Sequence, residues 1–410
     1  MGTKRSAGMA AAIAGSLLLA ACGSSGSSNT TNTTASSGTG SSATTAAPAA
    51  APLTISSFSN DFSAMNGLKS LASAGKGNVA VLLPDTQSSA RYVSFDQPYL
   101  TKAFEAAGLS SSQFSIQNAQ GSAATQTTQA TQAITNGATV LVLDSLDSGT
   151  GAAIERTAQA KGVAVIDYDR VNLNGSATYY ISFNNVKVGE LQGQGLQSCI
   201  TSWGVSNPQV FELDGSPTDN NATQFAQGYN SVLNPLYAAG TYKKVGEQAV
   251  PDWSNQQALT IFQQQYTAHP NINAVLTAND GLAQSVIAAL KQQNIGPKKI
   301  PTTGQDASLQ GLQNILAGYQ CMTVYKPIYE EAQAAAAVAL YLRAGQKPPS
   351  TLVNGSTNIQ TATPVPSVLL TPESVTTANM NDTVIKDQFV KASDLCSGYT
   401  AQCSAAGISG

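Results

Sequence analysis

The chain has 410 residues, enough for two domains and additional segments, with a formal net charge of −3 and only 10% charged residues. No basic block is present to track a phosphate backbone, which argues against a nucleic-acid partner. The single histidine, His269, falls in "TAHPNI", which reads as a helix-end loop and argues against a Ser/His/Asp triad, and no metal-ligand spacing or Walker motif occurs, so no catalytic group, metal or cofactor is expected.

At the start, Lys4 and Arg5 precede an apolar run from Ala7 to Ala21, too short to span a bilayer comfortably. A basic start, an apolar middle and small residues before a cleavage point describe an export signal over residues 1–21. The "LAAC" of Leu19–Cys22 resembles a bacterial lipobox, which makes Cys22 the expected lipid attachment point. A myristoylation pattern is also present at the first residues, but the apolar segment behind it favours export. Residues 23–52 are almost wholly Ser, Thr, Gly, Ala and Asn and cannot bury enough apolar surface to order themselves. Residues 22–76 are accordingly expected to form a lipid-anchored tether and disordered lead-in. In an oxidising compartment the four cysteines other than Cys22 allow three pairings. Cys396–Cys403, which closes a short loop, with Cys199–Cys321 is the expected set.

From Asn78 the pattern becomes regular. "VAVLLP" (79–84) reads as a buried strand, and Phe95, Tyr99 and Phe104 follow at helical spacing. "FSIQNA", a helix over 121–136, "TVLVLDS", a helix over 150–161, "VAVIDYD" and "YYISF" complete a first series. After a helix over 186–200, a second series runs "QVFELDG", helix 221–233, "YKKVGEQAV", helix 255–267, "NAVLTAND", helix 281–293, "IPTTGQD", helix 308–317, "CMTVYKP" and helix 328–344. Strands alternating with helices of this length make βαβ units, so the fold class is α/β with two doubly wound parallel-sheet lobes. The boundaries assigned are 77–183 plus 328–362 for the first lobe, 184–327 plus 363–395 for the second, and a Cys-containing tail over 396–410. Strands crossing near 182–186 and 325–328 form the hinge.

In open α/β sheets ligands bind beyond the carboxyl ends of the strands. The residues there are Arg91 and Tyr92, Asp169 and Arg170, Asn220 and Asn221, Trp253, Asn279 and Asp280, Asp306, and Lys326. Carboxylates, guanidinium groups and amides beside a flat aromatic suit a ligand with hydroxyls on its edge and C–H groups on its faces, as a pyranose has. Each position also has a structural explanation: Asp280 and Asn220 can cap the next helix, Lys326 can be a solvated charge, and Asp169 with Arg170 a surface pair. The coincidence of so many at strand ends favours the ligand reading.

The ordered set "SSARY", "IDYDR", "YYISFNNVKVGELQG", "GSPTDNNA", "TANDG", "TGQDA", "MTVYKP" and "DTVIKD" resembles the bacterial D-xylose-binding proteins over residues 77–395. These are periplasmic sugar-binding proteins of the ribose and galactose type, which serve ABC transporters. The resemblance implies a type I periplasmic binding protein fold, a monomer whose two lobes close around one monosaccharide and hand it to a membrane permease. It places the sugar-site residues on Arg91, Asp169, Arg170, Asn221, Trp253, Asn279, Asp306 and Lys326, with Tyr92 standing where the family has a second Trp. Sensing through a membrane receptor, or an aldose other than xylose, remains the alternative at this stage. A sugar-responsive repressor would need a helix-turn-helix where this chain has an export signal and tether.

Overall fold

Strands such as Val79–Leu83 and Ala138–Leu143 are apolar on both faces, the composition of a strand covered by helices on each side. The computed structural model describes residues 53–409. In chain order its first half comprises α1 (Lys69–Ala74), β1 (Asn78–Leu83), α2 (Gln97–Ala106), β2 (Phe114–Asn118), α3 (Ala123–Thr135), β3 (Ala138–Leu143), α4 (Ser148–Gln159), β4 (Ala164–Tyr168) and β5 (Tyr179–Phe183). Next come α5 (Asn185–Ser202), β6 (Gln209–Asp214), α6 (Asn220–Ala238), β7 (Lys243–Ala249), α7 (Asn255–Ala268), β8 (Ala274–Thr277), α8 (Asp280–Gln292), α9 (Leu309–Leu316) and β9 (Thr323–Tyr325). The chain ends with α10 (Ile328–Arg343), β10 (Gly355–Thr357), β11 (Val365–Leu370), β12 (Glu373–Val375), α11 (Ala392–Leu395) and α12 (Thr400–Ala405).

One seven-stranded sheet has the order β10-β11-β5-β4-β3-β1-β2, parallel except at the β10–β11 edge. A second sheet, β7-β6-β8, is parallel, and β9 pairs antiparallel with β12 in a third. The expected strand in "IPTTGQD" is reduced to one parallel bridge between Val275 and Thr302. The first lobe's core includes Val81, Val140 and Ile166 with the alanines of α10, whose small side chains let that helix lie close to the sheet. The second core gathers α5, α6, α7 and α8 around Phe211, Leu213 and Leu276. Helix starts are capped by Ser122, Asp147, Asn184, Asp219, Ser254, Asn279 and Ser308, each accepting a backbone N–H of the first turn. Two caps therefore fall one residue before the candidates Asn220 and Asp280.

Three boundaries differ from the sequence reading. The lead-in is ordered from residue 53, because Phe58, Phe62, Met65, Leu68 and Ala72 insert into the first core, and their spacing outweighs the surrounding Ser and Ala. Segment 363–370 belongs with the first sheet, since β11 pairs with β5. Residues 396–409 are no loose tail: Cys403 and Ile408 are buried with Tyr325, Val384, Phe389 and Leu395. The chain accordingly passes between the lobes three times, after β5, after β9 and between β11 and β12, the number the assigned boundaries imply, with the last crossing falling after residue 370 and not at 362. Cys199–Cys321 and Cys396–Cys403 are bridged. The signal segment, Cys22 and most of the tether lie outside the described residues.

Candidate functional site

Strand β4 ends at Tyr168 and turns through Asp169 with a φ of 57°, a left-handed conformation that side chains rarely accept. Trp253 (φ 55°) and Asp306 (φ 98°) share this property on the second lobe. Such backbone costs about 1–3 kcal/mol per residue and persists only where the surroundings over-determine it. At Asp169 they do: its carbonyl accepts hydrogen bonds from Tyr180 Oη (3.0 Å), Ser182 Oγ (2.8 Å) and Asn221 Nδ2 (3.1 Å). The turn aims the Asp169 carboxylate into the space between the lobes.

That carboxylate is surrounded by donors. Arg91 Nη1 donates to it at 2.6 Å, Tyr92 Oη at 3.2 Å, and Lys326 Nζ lies 3.7 Å away. Arg91, 2% exposed, is itself fixed by Asp96 through Nε (2.9 Å) and Nη2 (2.7 Å) and by Glu331 (2.6 Å). Arg170 Nε pairs across the lobes with Asp219 at 3.0 Å and lies 3.7 Å from Asp144, while Nη1 donates to the Ser145 carbonyl. Both guanidinium groups sit 5.6 Å from the Tyr92 ring centroid. Trp253 Nε1 donates to Asp219 at 3.0 Å, and its ring lies against Gly215, where any Cβ would collide.

Burial pushes the Asp169 carboxyl up, but Arg91, Lys326, Arg170 and the Tyr92 hydroxyl together outweigh it and hold the pKa at about 2. Glu331 goes the other way. Burial raises it, Asp169 and Asp96 add to that, and Arg91 compensates only in part, leaving it at about 8. Burial, then Asp169, also pushes Asp144 well above the usual carboxylate range.

All nine candidates, Arg91, Tyr92, Asp169, Arg170, Asn221, Trp253, Asn279, Asp306 and Lys326, line a single cavity between the lobes. Reading the sequence missed Ser88, Ser89, Asp219, Phe225 and Gln305 in its wall. Asp219 stands at a strand end in "GSPTDNNA" and could have been found by the rule that found the others. The supporting carboxylates Asp96 and Glu331 reach Arg91 from helical segments and leave no local signal. Asp280 is absent from the cavity lining; buried, it accepts from Ser308, Gln320 and Thr323. Asn279 does two tasks: Oδ1 caps α8, and Nδ2 donates to the Ser88 carbonyl of the other lobe at 3.3 Å.

The lobes meet directly. Ser89 Oγ donates to Asp306 at 2.8 Å, and Arg170–Asp219 and Asn221–Asp169 also cross the cleft. The cavity closes to about 20 Å³, the room of a water or two. Of its lining residues, Asp306 through Oδ1 and Gln305 through Oε1 lack a hydrogen-bond partner among the described residues, with Lys326 Nζ 3.5 Å from Asp306 Oδ1. The arrangement thus offers donors and acceptors from both lobes, an aromatic ring, and oxygens still to be satisfied.

Comparison with known proteins follows the same direction. A family profile described as "Periplasmic binding protein domain" matches residues 79–347. The chain is 41% identical to the D-xylose-binding periplasmic protein of Escherichia coli, over 68% of this chain and 82% of that one. It is 31% identical to the multiple sugar-binding periplasmic receptor ChvE of Rhizobium radiobacter, over 78% and 93% of the two chains. A carbohydrate transporter solute binding protein from Chloroflexus aurantiacus, solved in complex with D-glucose, superposes with a TM-score of 0.69 at 26% identity, covering 77% of this chain and 97% of that one.

The raised carboxyl of Glu331 has a consequence for stability. A group with a native pKa of about 8 against an ordinary 4.5 holds more protons folded than unfolded between those values, so its contribution falls as pH rises through that window. Asp280, pushed to about 7 by burial and then Asp306, acts in the same sense. Differential scanning calorimetry of the sugar-free protein is expected to show a higher Tm at pH 5 than at pH 8, with a smaller difference in Glu331→Gln. An unchanged difference would mean that Glu331 is ionised throughout.

Proposed function

Because this chain belongs to the periplasmic binding protein domain family, we propose that it is the extracytoplasmic sugar-binding component of an ABC importer, that it takes one monosaccharide between its lobes, and that the sugar is D-xylose. The observation that supports this reading is the convergence of nine strand-end residues from both lobes on one cavity. It is a binding protein and not an enzyme.

In the open form Asp169, Arg170, Asp306 and Lys326 are hydrated. A sugar entering the cleft stacks on the Trp253 and Tyr92 rings and brings hydroxyls to the charged groups. Closure then desolvates charge-assisted hydrogen bonds worth about 1.5–3 kcal/mol each. Ligand drives closure because it contacts both lobes: Arg91, Asp169 and Arg170 on one, Asn221, Trp253, Asn279 and Asp306 on the other, with Lys326 at the hinge. The identity to D-xylose-binding proteins favours a pentopyranose. The closed sugar complex delivers its cargo to a membrane permease, and the lipid on Cys22 keeps the protein at the membrane. None of the described helices is long and apolar enough to cross a bilayer.

Titration calorimetry with an aldose panel tests the substrate. D-xylose is expected to bind one to one and more tightly than D-ribose or D-galactose, and Asp306→Ala should weaken it by about 2 kcal/mol because desolvated partners are left unpaired. A preference for ribose or galactose would contradict the xylose assignment.

Anchoring is tested separately. Wild-type protein should fractionate with membranes and carry lipid, and Cys22→Ser should lose both. Membrane retention of that variant would place the anchor elsewhere.

A further inference from the structure

The sugar cavity has a neighbour. A second pocket of about 480 Å³ lies at the lips of the cleft, and Ser88, Arg170 and Trp253 line both spaces. The first lobe adds Asp85, Gln87, Gln120, Leu146 and Asp147, and the second Ser216, Asp252, Asn255 and Gln256. Its size falls in the range of small-molecule sites. Several of these side chains already have assignments that keep the walls in place. Asp85 accepts the backbone N–H groups of Gln87 and Ser88 and the Ser88 hydroxyl, and Asp147 caps α4. Gln120 is exposed and bonds Asn118 and Thr86, while Gln87, Asp252, Asn255 and Gln256 are exposed with no side-chain hydrogen bond found for them among the described residues. Arg170, in the shared wall, uses Nε and Nη1 for protein partners, and no protein hydrogen bond is found for its Nη2 among the described residues.

We propose that this outer pocket is a second carbohydrate subsite, so that the cleft accepts a neutral disaccharide with one ring in the inner cavity and the other between the lips. The inference rests on the sugar-binding reading of the inner site and extends it. Amides and carboxylates beside the outer edge of the Trp253 indole repeat the inner site's chemistry of hydroxyl recognition with one apolar surface. Three carboxylates, Asp85, Asp147 and Asp252, against the single cation Arg170 oppose anionic ligands such as sugar phosphates or uronic acids. The two spaces share the residues Ser88, Arg170 and Trp253. A glycosidic oxygen can therefore pass where Ser88 and Arg170 meet Trp253 if the lobes close slightly less.

Calorimetry with D-xylose and with xylobiose tests it. Xylobiose is expected to bind the wild type one to one, in competition with xylose. Gln256→Trp, which fills the pocket from an exposed position on the second lobe, should weaken xylobiose at least tenfold and leave the xylose Kd within about twofold. Gln87→Trp, from the opposite lip, should do the same. Binding of xylose but not xylobiose by the wild type overturns the outer subsite alone, as does equal xylobiose affinity in both filled variants. Failure of the wild type to bind xylose overturns the functional reading, and this inference with it.

Discussion

A carboxylate taken out of water stays ionised only if cations and donors replace its hydration, and Asp169 is where this protein meets that condition. Its charge is held by Arg91 at 2.6 Å, by Lys326 at 3.7 Å and by the Tyr92 hydroxyl at 3.2 Å. The pairing brings an obligation of its own, because Arg91 is then a buried cation with its remaining donors to satisfy. Asp96 and Glu331 take those donors, and with them the helical segments after β1 and after the second crossover become part of the site. Removing one partner from such an array strands the others, so the geometry is rigid well beyond the residues that face the cavity.

The backbone answers to the same carboxylate. Asp169 can be left-handed because three side chains hold its carbonyl, and one of them, Asn221, comes from the other lobe. The first lobe thus presents the Asp169 carboxylate from a left-handed turn, and the second supplies Trp253 and Asp306 from turns of the same kind. Preorganisation of this kind reduces the ordering that a ligand must bring about. Among the described residues Asp306 Oδ1 and Gln305 Oε1 have no hydrogen-bond partner, and Lys326 Nζ stands 3.5 Å from the former. An orphaned buried acceptor costs about 1–3 kcal/mol. In the proposed function, sugar hydroxyls supply the partners that these two oxygens lack.

The part of the site carried on strand ends was legible in the sequence, because an apolar run interrupted by Asp, Asn or Arg announces both the strand and its carboxyl end. "VAVIDYDR" and "AVLTAND" are the clearest instances. The supporting layer was not legible. Glu331 lies inside the alanine-rich α10 and Asp96 in a helical segment, and nothing in their neighbours tells which guanidinium they reach. The same limit explains the boundaries. That β11 completes the first sheet, and that residues 53–76 pack under it, are long-range outcomes of pairing and burial, whereas composition reports only local tendency. Asp219 sits between these cases: its place at a strand end is visible, but its double role, capping α6 and joining Trp253 to Arg170, needs the third dimension.

The central claim is that one sugar bridges two lobes that otherwise prefer to hydrate their charges apart. Small-angle X-ray scattering of the full mature protein, with and without saturating D-xylose, measures this directly. The account predicts a smaller radius of gyration with the sugar. A radius that stays constant while calorimetry shows xylose bound would contradict it, because the ligand would then occupy the cleft without drawing the lobes together.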